Sequence, residues 1–332
     1  MDKRRKILII QLKRAGDVLV TTPVLPVLRQ QFPEARIDFL TEGAFAPLLE
    51  QHPDVDQVQV YDPRAVLSSI RKVRRQRYDW IIDFQSSPRS ALLVFLSGAR
   101  LTVGYRVPFW GRVYRETVKR PVGRQSVVDG KFSLVENLTG PVAERPMLKI
   151  YLSDDEKKWA AGAMESVSAQ AIVGLVPTHR RVSRRWPVES YAALAQDLIR
   201  RENDVWLFWG PGEEPYVDRL SRMVPGARKI PPTTLRQMAA LLERCRLVIT
   251  NDSGPMHLAV AAGAQTLTLY GPTDPVNWNP GVPPHRFLQA DGVPCLGCNL
   301  NECPFQHECM TRLASEMVFK NAMEIVNPRG FR

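Results

Sequence analysis

An aspartate stands just after the first apolar segment of the chain, where its carboxylate could do chemistry. Asp17 follows Lys13-Arg14-Ala15-Gly16 and opens a stretch with helical spacing. Aspartate is a good N-terminal cap of a helix, which is one interpretation. A carboxylate at the end of a strand, facing a cleft, could instead take a proton from a substrate hydroxyl. The residues alone leave both interpretations open.

A second group, residues 251–257, combines small and polar residues in a pattern typical of an anion site. It reads Asn-Asp-Ser-Gly-Pro-Met-His and follows an apolar run. The aspartate or serine can cap the next helix, the glycine lets a ligand approach, and the proline suits the first turn. The free N–H groups of a helix start bind phosphate, so a diphosphate is the expected guest. The histidine is either structural or a ligand contact. The residues assigned to the phosphates here are Asp252, Ser253, Gly254, Pro255 and His257.

Four arginines within residues 180–185 form a third group, again between a predicted strand and a predicted helix. Arginines this dense repel one another unless an anion lies nearby, and their forks bind phosphate oxygens bidentately. We assign Thr178 and Arg180 to phosphate binding.

Four cysteines lie close together near the end of the chain, at Cys295, Cys298, Cys303 and Cys309. Four thiolates at such spacing could hold a structural zinc ion, although the spacing is not that of a zinc ribbon. Disulfides are not expected in a cytoplasmic protein.

Alternating strand-like and helix-like segments must position these groups. The predicted strands are residues 6–12, 36–40, 55–61, 79–84, 101–105, 171–177, 204–209, 247–250 and 266–270. The predicted helices include residues 18–32, 154–167, 189–201, 234–243 and 255–262. This alternation predicts two parallel α/β domains, joined near residues 144–153, with ligands in the cleft at the carboxyl ends of the strands.

The charge is concentrated in the first domain. Net charge is +11, and residues 1–150 hold 25 Lys and Arg against 15 Asp and Glu. The basic residues are densest at Arg71, Lys72, Arg74, Arg75 and Arg77. The run is either a solvated helix face or part of a surface that meets an anionic partner. No apolar run is long enough to cross a membrane, and the apolar stretch near the start is too short for a signal peptide, so we expect a cytoplasmic protein.

Four segments in order resemble the ADP-heptose:lipopolysaccharide heptosyltransferases of glycosyltransferase family 9, and most closely their heptosyltransferase II-like branch. They are residues 12–23 (LKRAGDVLVTTP), 184–187 (RRWP), 251–257 (NDSGPMH) and 270–275 (YGPTDP). Many members have lysine where Arg184 stands, so this chain keeps the charge but changes the geometry.

The resemblance implies a GT-B fold of two Rossmann-like, doubly wound domains. Residues 1–150 would bind the acceptor, residues 151–311 the nucleotide sugar, and residues 312–332 would form a helix that returns to the first domain. It implies that Asp17 is the general base of an inverting transfer. Arg184 and the helix start at residues 253–256 would stabilise the ADP leaving group without a catalytic metal.

The donor and acceptor implied are ADP-heptose and the anionic inner core (Kdo or heptose) of lipopolysaccharide, reached at the inner face of the inner membrane. We assign Glu213, Glu214 and Met238 to the ribose or base of the nucleotide, although the glutamates also suit an ordinary helix start. No cofactor is required for the transfer, and the structural zinc considered above is separate from it.

Three alternative functions have weaker support from the sequence. A related transferase could use another nucleotide sugar. A basic nucleic-acid-binding protein lacks any recognisable binding module here. A nicotinamide or flavin enzyme is disfavoured because the first turn has only Gly16 of the G-x-G-x-x-G fingerprint.

Overall fold

Each half of the chain folds around a parallel sheet of six strands. The computed structural model describes residues 4–120, 123–164 and 171–328. The two compact units are Met1–Tyr151 and Leu152–Arg332, so the division falls within the stretch considered as a linker. Among the helices of the described residues, none combines the length and the apolar character needed to cross a bilayer.

The first unit has the strand order of a doubly wound fold, β3-β2-β1-β4-β5-β6. Its strands are β1 (Lys6–Ile10), β2 (Arg36–Glu42), β3 (Gln57–Tyr61), β4 (Trp80–Asp83), β5 (Leu101–Tyr105) and β6 (Glu116–Val118). Its helices are α1 (Ala15–Leu19), α2 (Val24–Gln31), α3 (Val66–Gln76), α4 (Pro88–Ser97) and α5 (Val127–Thr139). Strand order reverses between β1 and β4, which is where such sheets bind ligands.

The second unit repeats this order as β12-β11-β10-β7-β8-β9. Its strands are β7 (Ile172–Val176), β8 (Asp204–Leu207), β9 (Arg228–Lys229), β10 (Leu247–Asn251), β11 (Gln265–Leu269) and β12 (Arg286–Leu288). Its helices are α6 (Asp154–Ala163), α7 (Val188–Arg200), α8 (Glu214–Met223), α9 (Leu235–Glu243), α10 (Gly254–Ala261), α11 (Pro275–Trp278), α12 (Glu308–Thr311) and α13 (Ser315–Val326). Here the order reverses between β7 and β10. The predicted pair of doubly wound parallel sheets is confirmed.

Apolar runs that are buried on both faces form the central strands. Ile7 to Ile10 of β1 are wholly buried, and β1 pairs in parallel with β2 and β4. Central strands of a parallel sheet have this near-continuous apolar character because helices cover both faces. The order of the sheet therefore fixes which loops meet at its carboxyl edge.

The last helix packs within the second unit. Helix α13 contacts α7 and β10, and the indole N–H of Trp186 donates to the carbonyl of Leu313 just before it, at 2.9 Å. The expected return of residues 312–332 to the first domain gains no support from these contacts and stays a prediction. Residues 165–167 of the predicted helix 154–167 lie outside the described residues; the described part ends at Ala163.

Candidate functional site

Asp17 lies in the first turn of α1, directly after β1 and thus at the switch point of the first sheet. Its Oδ2 accepts a 3.2 Å hydrogen bond from the backbone N–H of Arg14, so the carboxylate does help to close the start of the helix. Its Oδ1 accepts no hydrogen bond from any residue that the structure describes. The half-buried carboxylate can therefore serve as a cap through one oxygen and as a base through the other.

A buried lysine supports the loop that carries Asp17. Lys131, on α5, is 5% exposed. Its Nζ donates to Gln11 Oε1 at 2.6 Å. The amide of Gln11 in turn donates to the carbonyl of Lys13 at 2.7 Å and to Gln85 Oε1 at 2.8 Å. Burial lowers the pKa of Lys131 to about 8, against the attraction of the Asp17 carboxylate. No feature of the sequence had indicated a role for Lys131.

Arg184 and Asp252 form an ion pair at the switch point of the second sheet. Arg184 ends the 3-10 turn Val182–Arg184, and its Nη1 donates to Asp252 Oδ2 at 2.9 Å. Its Nη2 donates to Asn299 Oδ1 at 2.8 Å. Burial raises the pKa of Asp252, and the guanidinium opposes this shift. The pair holds the guanidinium beside the N-terminus of α10. Both the guanidinium and the free N–H groups of that helix start favour a bound anion.

One amide side chain joins the loops on either side of this switch point. Asn251 ends β10, and its Nδ2 donates to the carbonyls of Pro177 and Thr178 at 3.1 and 3.4 Å. Its Oδ1 accepts the backbone N–H of Trp186 at 3.0 Å. The arginine-rich loop after β7 is thereby tied to β10 at both of its ends. The sequence motif contains Asn251, but its role is visible only in the fold.

The start of α10 is accessible, while its histidine is buried. Ser253 is the N-cap residue, and the first turn through Gly254 and Pro255 is partly exposed. His257 is 4% exposed, and its ring lies 5.9 Å from that of Trp278. Burial lowers the pKa of His257 to about 4, so its imidazole is neutral at pH 7 and contributes no positive charge.

The two adjacent glutamates have different surroundings. Glu213 Oε2 accepts hydrogen bonds from Thr178 Oγ1 at 2.6 Å and from the N–H of Gly210 at 2.9 Å. Glu214 instead forms a surface ion pair with Lys229 at 3.0 Å. The structure thus brings two predicted site residues, Thr178 and Glu213, together.

The remaining predicted residues lie apart from these contacts. Met238 is buried on α9, which packs against α10. Arg180 is exposed on the loop after β7.

The four clustered cysteines are free thiols that line one small cavity of about 20 Å³. Cys303 Sγ accepts the N–H groups of Phe305 and His307, both at 3.3 Å. Burial and the neighbouring thiols raise the pKa of Cys309 to about 11. Within the described residues, however, no three His, Cys, Asp or Glu side chains are arranged to hold a metal ion. The four thiols, as they are arranged here, do not form a zinc site. The structural zinc predicted from the sequence therefore gains no support and stays a prediction.

Similarity to known proteins agrees with this architecture. The chain is 28% identical over 287 residues to lipopolysaccharide heptosyltransferase 3 of Escherichia coli K12, covering 80% of this chain and 82% of that one. The structure of E. coli ADP-heptose lps heptosyltransferase II matches with a TM-score of 0.82 at 21% identity, covering 97% and 98%.

A third match is E. coli heptosyltransferase WaaC with ADP-2-deoxy-2-fluoro heptose. Its TM-score is 0.75 at 22% identity, covering 96% of this chain and 99% of that one. The predicted GT-B fold is thereby confirmed. The model of glycosyltransferase family 9 (heptosyltransferase) matches residues 66–308. The chain is therefore a glycosyltransferase, and it belongs to glycosyltransferase family 9.

Proposed function

We propose that the protein transfers heptose from ADP-heptose to Kdo or heptose of the lipopolysaccharide inner core, inverting the anomeric carbon. The observation that carries the proposal is the Arg184–Asp252 pair beside the start of α10. Arg184 supplies a cation, and the start of α10 supplies free N–H groups, where a diphosphate would depart. Similarity to a heptosyltransferase seen with an ADP-heptose analogue supports this choice of donor.

The reaction needs one proton acceptor and one stabilised leaving group. Asp17 takes the proton of the acceptor hydroxyl as its oxygen bonds to the anomeric carbon. The bond from that carbon to the diphosphate breaks, and ADP leaves with the electron pair. Arg184 and the N–H groups of residues 253–256 stabilise its charge, so this mechanism requires no catalytic metal. Glu213, Glu214 and Met238 are proposed to contact the nucleoside.

The donor and the acceptor are tested together. Purified protein should be offered ADP-heptose, UDP-sugars and GDP-sugars with defined core acceptors, and the products weighed by mass spectrometry. We expect a mass gain of one heptose from ADP-heptose only. Transfer from a UDP- or GDP-sugar alone would replace this proposal by a related transferase with another donor.

The acceptor is lipid-linked, so we place the enzyme in the cytoplasm, peripherally at the inner face of the inner membrane. The basic excess of the first unit supports this placement, because anionic leaflets attract such surfaces.

A further inference from the structure

One outer layer of the first unit contains no acidic residue. It consists of α3, α4 and residues 109–113, whose sequences VLSSIRKVRRQ, PRSALLVFLS and FWGRV lack Asp and Glu. Helix α3 packs against α4, and α4 packs against the 3-10 turn Trp110–Val113. All three share one apolar core beneath them. We call this surface the acid-free layer.

The acid-free layer exposes large apolar side chains. Thirteen such side chains are exposed among the described residues, and five of them lie here. These five are Leu67, Leu92, Phe95, Phe109 and Trp110. Phe109 is 89% exposed and has a φ of 62°. A bulky residue held in the left-handed region costs free energy and points to a functional constraint. Exposed apolar groups this concentrated mark an interaction surface.

Arginines surround a pocket at one end of the layer, where α3 and α4 finish. The pocket has a volume of about 660 Å³. Its arginines are Arg71, Arg74, Arg75, Arg77 and Arg100. In the part of the chain that the structure describes, none of the five forms an ion pair. The pocket lies at the amino edge of the sheet, whereas Asp17 lies at the carboxyl edge. It therefore does not belong to the reaction centre. Asp79 also lines the pocket, and its Oδ2 accepts the backbone N–H of Lys6. Five arginines against this one carboxylate leave an excess of positive charge, which suits phosphate.

We propose that the acid-free layer docks the enzyme onto a bilayer of anionic phospholipid. Phe109 and Trp110 enter the interface, where aromatic side chains are favoured. The arginines of the pocket bind headgroup phosphates. A free phosphate would use the arginines alone and would leave the five apolar side chains without a purpose. The inference rests on the lipid-linked acceptor of the proposed function, and it adds apolar anchors to the electrostatic attraction.

Vesicle binding tests the proposal without donor or turnover, so its failure is distinguishable from failure of the proposed chemistry. Full-length protein is sedimented with vesicles of phosphatidylglycerol and phosphatidylcholine in equal parts, and with phosphatidylcholine alone. We expect binding to the anionic vesicles only. Arg74→Gln with Arg75→Gln should weaken it about thirtyfold, from the usual contribution of a basic residue near a membrane.

The apolar anchors need their own variants. Phe109→Ser with Trp110→Ser should weaken vesicle binding at least about tenfold. The binding that remains should be more sensitive to salt, because it is then mainly electrostatic. The matched control is Phe305→Ser, an exposed aromatic of the second unit, which should bind vesicles like the wild type. Trp110 emission, taken as the difference from Trp110→Phe, should shift to the blue on binding.

Two results would overturn the proposal. One is vesicle binding that neither pair of substitutions changes. The other is loss of all vesicle binding on adding millimolar inorganic phosphate, with the serine variants behaving as the wild type. That outcome would make the pocket a site for a soluble anion.

Discussion

Arg184 donates a 2.9 Å hydrogen bond to Asp252, and this pair lies beside the first turn of α10. The Nε of the same guanidinium is buried and has no partner among the described residues. An unpaired buried donor costs about 1–3 kcal/mol. The arginine is thus held in place at its two Nη atoms, while its Nε carries an unsatisfied donor.

Removing this arginine should weaken the nucleotide site. Arg184→Ala should lower the affinity for ADP and slow transfer beyond the loss in binding, because the diphosphate loses a cation. Arg184→Lys should restore much of both. ADP titration calorimetry and initial rates measure these effects, with exposed Arg222→Ala as the control. Unchanged ADP affinity in Arg184→Ala would move the contact to Arg180, Arg181 or Arg185.

One substitution distinguishes a catalytic role of Asp17 from its role as a helix cap. Asp17→Asn keeps an oxygen for the N–H of Arg14 but cannot take a proton, so turnover should fall by about 10²-fold or more. ADP affinity and the thermal midpoint should change little. Asp62→Asn is a matched control, since Asp62 also accepts a backbone N–H, from Arg64. Undiminished turnover in Asp17→Asn would remove the catalytic assignment.

Lys131 should cost stability at neutral pH. Its pKa is lowered from 10.5 to about 8 by burial, so the unfolded chain binds the proton more tightly. The penalty is full below pH 8 and disappears as the pH rises from about 8 to 10.5. Lys131→Met should raise the free energy of unfolding at neutral pH by about 2 kcal/mol, after allowing for the lost hydrogen bond to Gln11.

The same substitution should slow transfer roughly tenfold, because the loop that presents Asp17 loses its support. Urea unfolding at neutral and alkaline pH measures the first effect, and initial rates measure the second. Lys158→Met, on the surface of α6, should change neither. A stability gain that is the same at all pH values would contradict the assigned cause.

Chelation should leave the reaction running. In the proposed mechanism Arg184 and helix N–H groups stabilise the leaving group, so EDTA should not reduce turnover. Loss of activity that magnesium restores would contradict the mechanism.

Elemental analysis tests separately whether the four cysteines hold a structural metal. About one zinc per chain would mean that the four cysteines rearrange around a metal, since four thiolates bind it tightly.

The central strands of both sheets were predictable because parallel strands that are buried on both faces have nearly continuous apolar sequences. The predicted strand 101–105 coincides with β5. The predicted helix 18–32 was wrong as a single element, because α1 ends at Leu19 and α2 begins at Val24. Pro23 lies between them and cannot continue the hydrogen-bond ladder. The strands β6, β9 and β12 were missed because they have only two or three residues each, too few to show a period.

The site was predictable in position more than in detail. Residues at the ends of strands were identified because parallel order brings those ends to one edge. Glu213 and Glu214 are neighbours in sequence, and no local pattern tells which one turns toward Thr178. Lys131 was missed because a lysine in a helix is ordinarily at the surface, and only tertiary packing buries it.

The amide of Asn251 has a consequence for how fast the nucleotide can exchange. Because it fixes the loop after β7 during folding, the conformational entropy of that loop is already lost before any ligand arrives. Binding then requires no ordering of the backbone, and release requires no loosening of it. The lifetime of bound ADP should accordingly follow the number of its polar contacts, and a viscous solvent that slows loop motion should leave it almost unchanged.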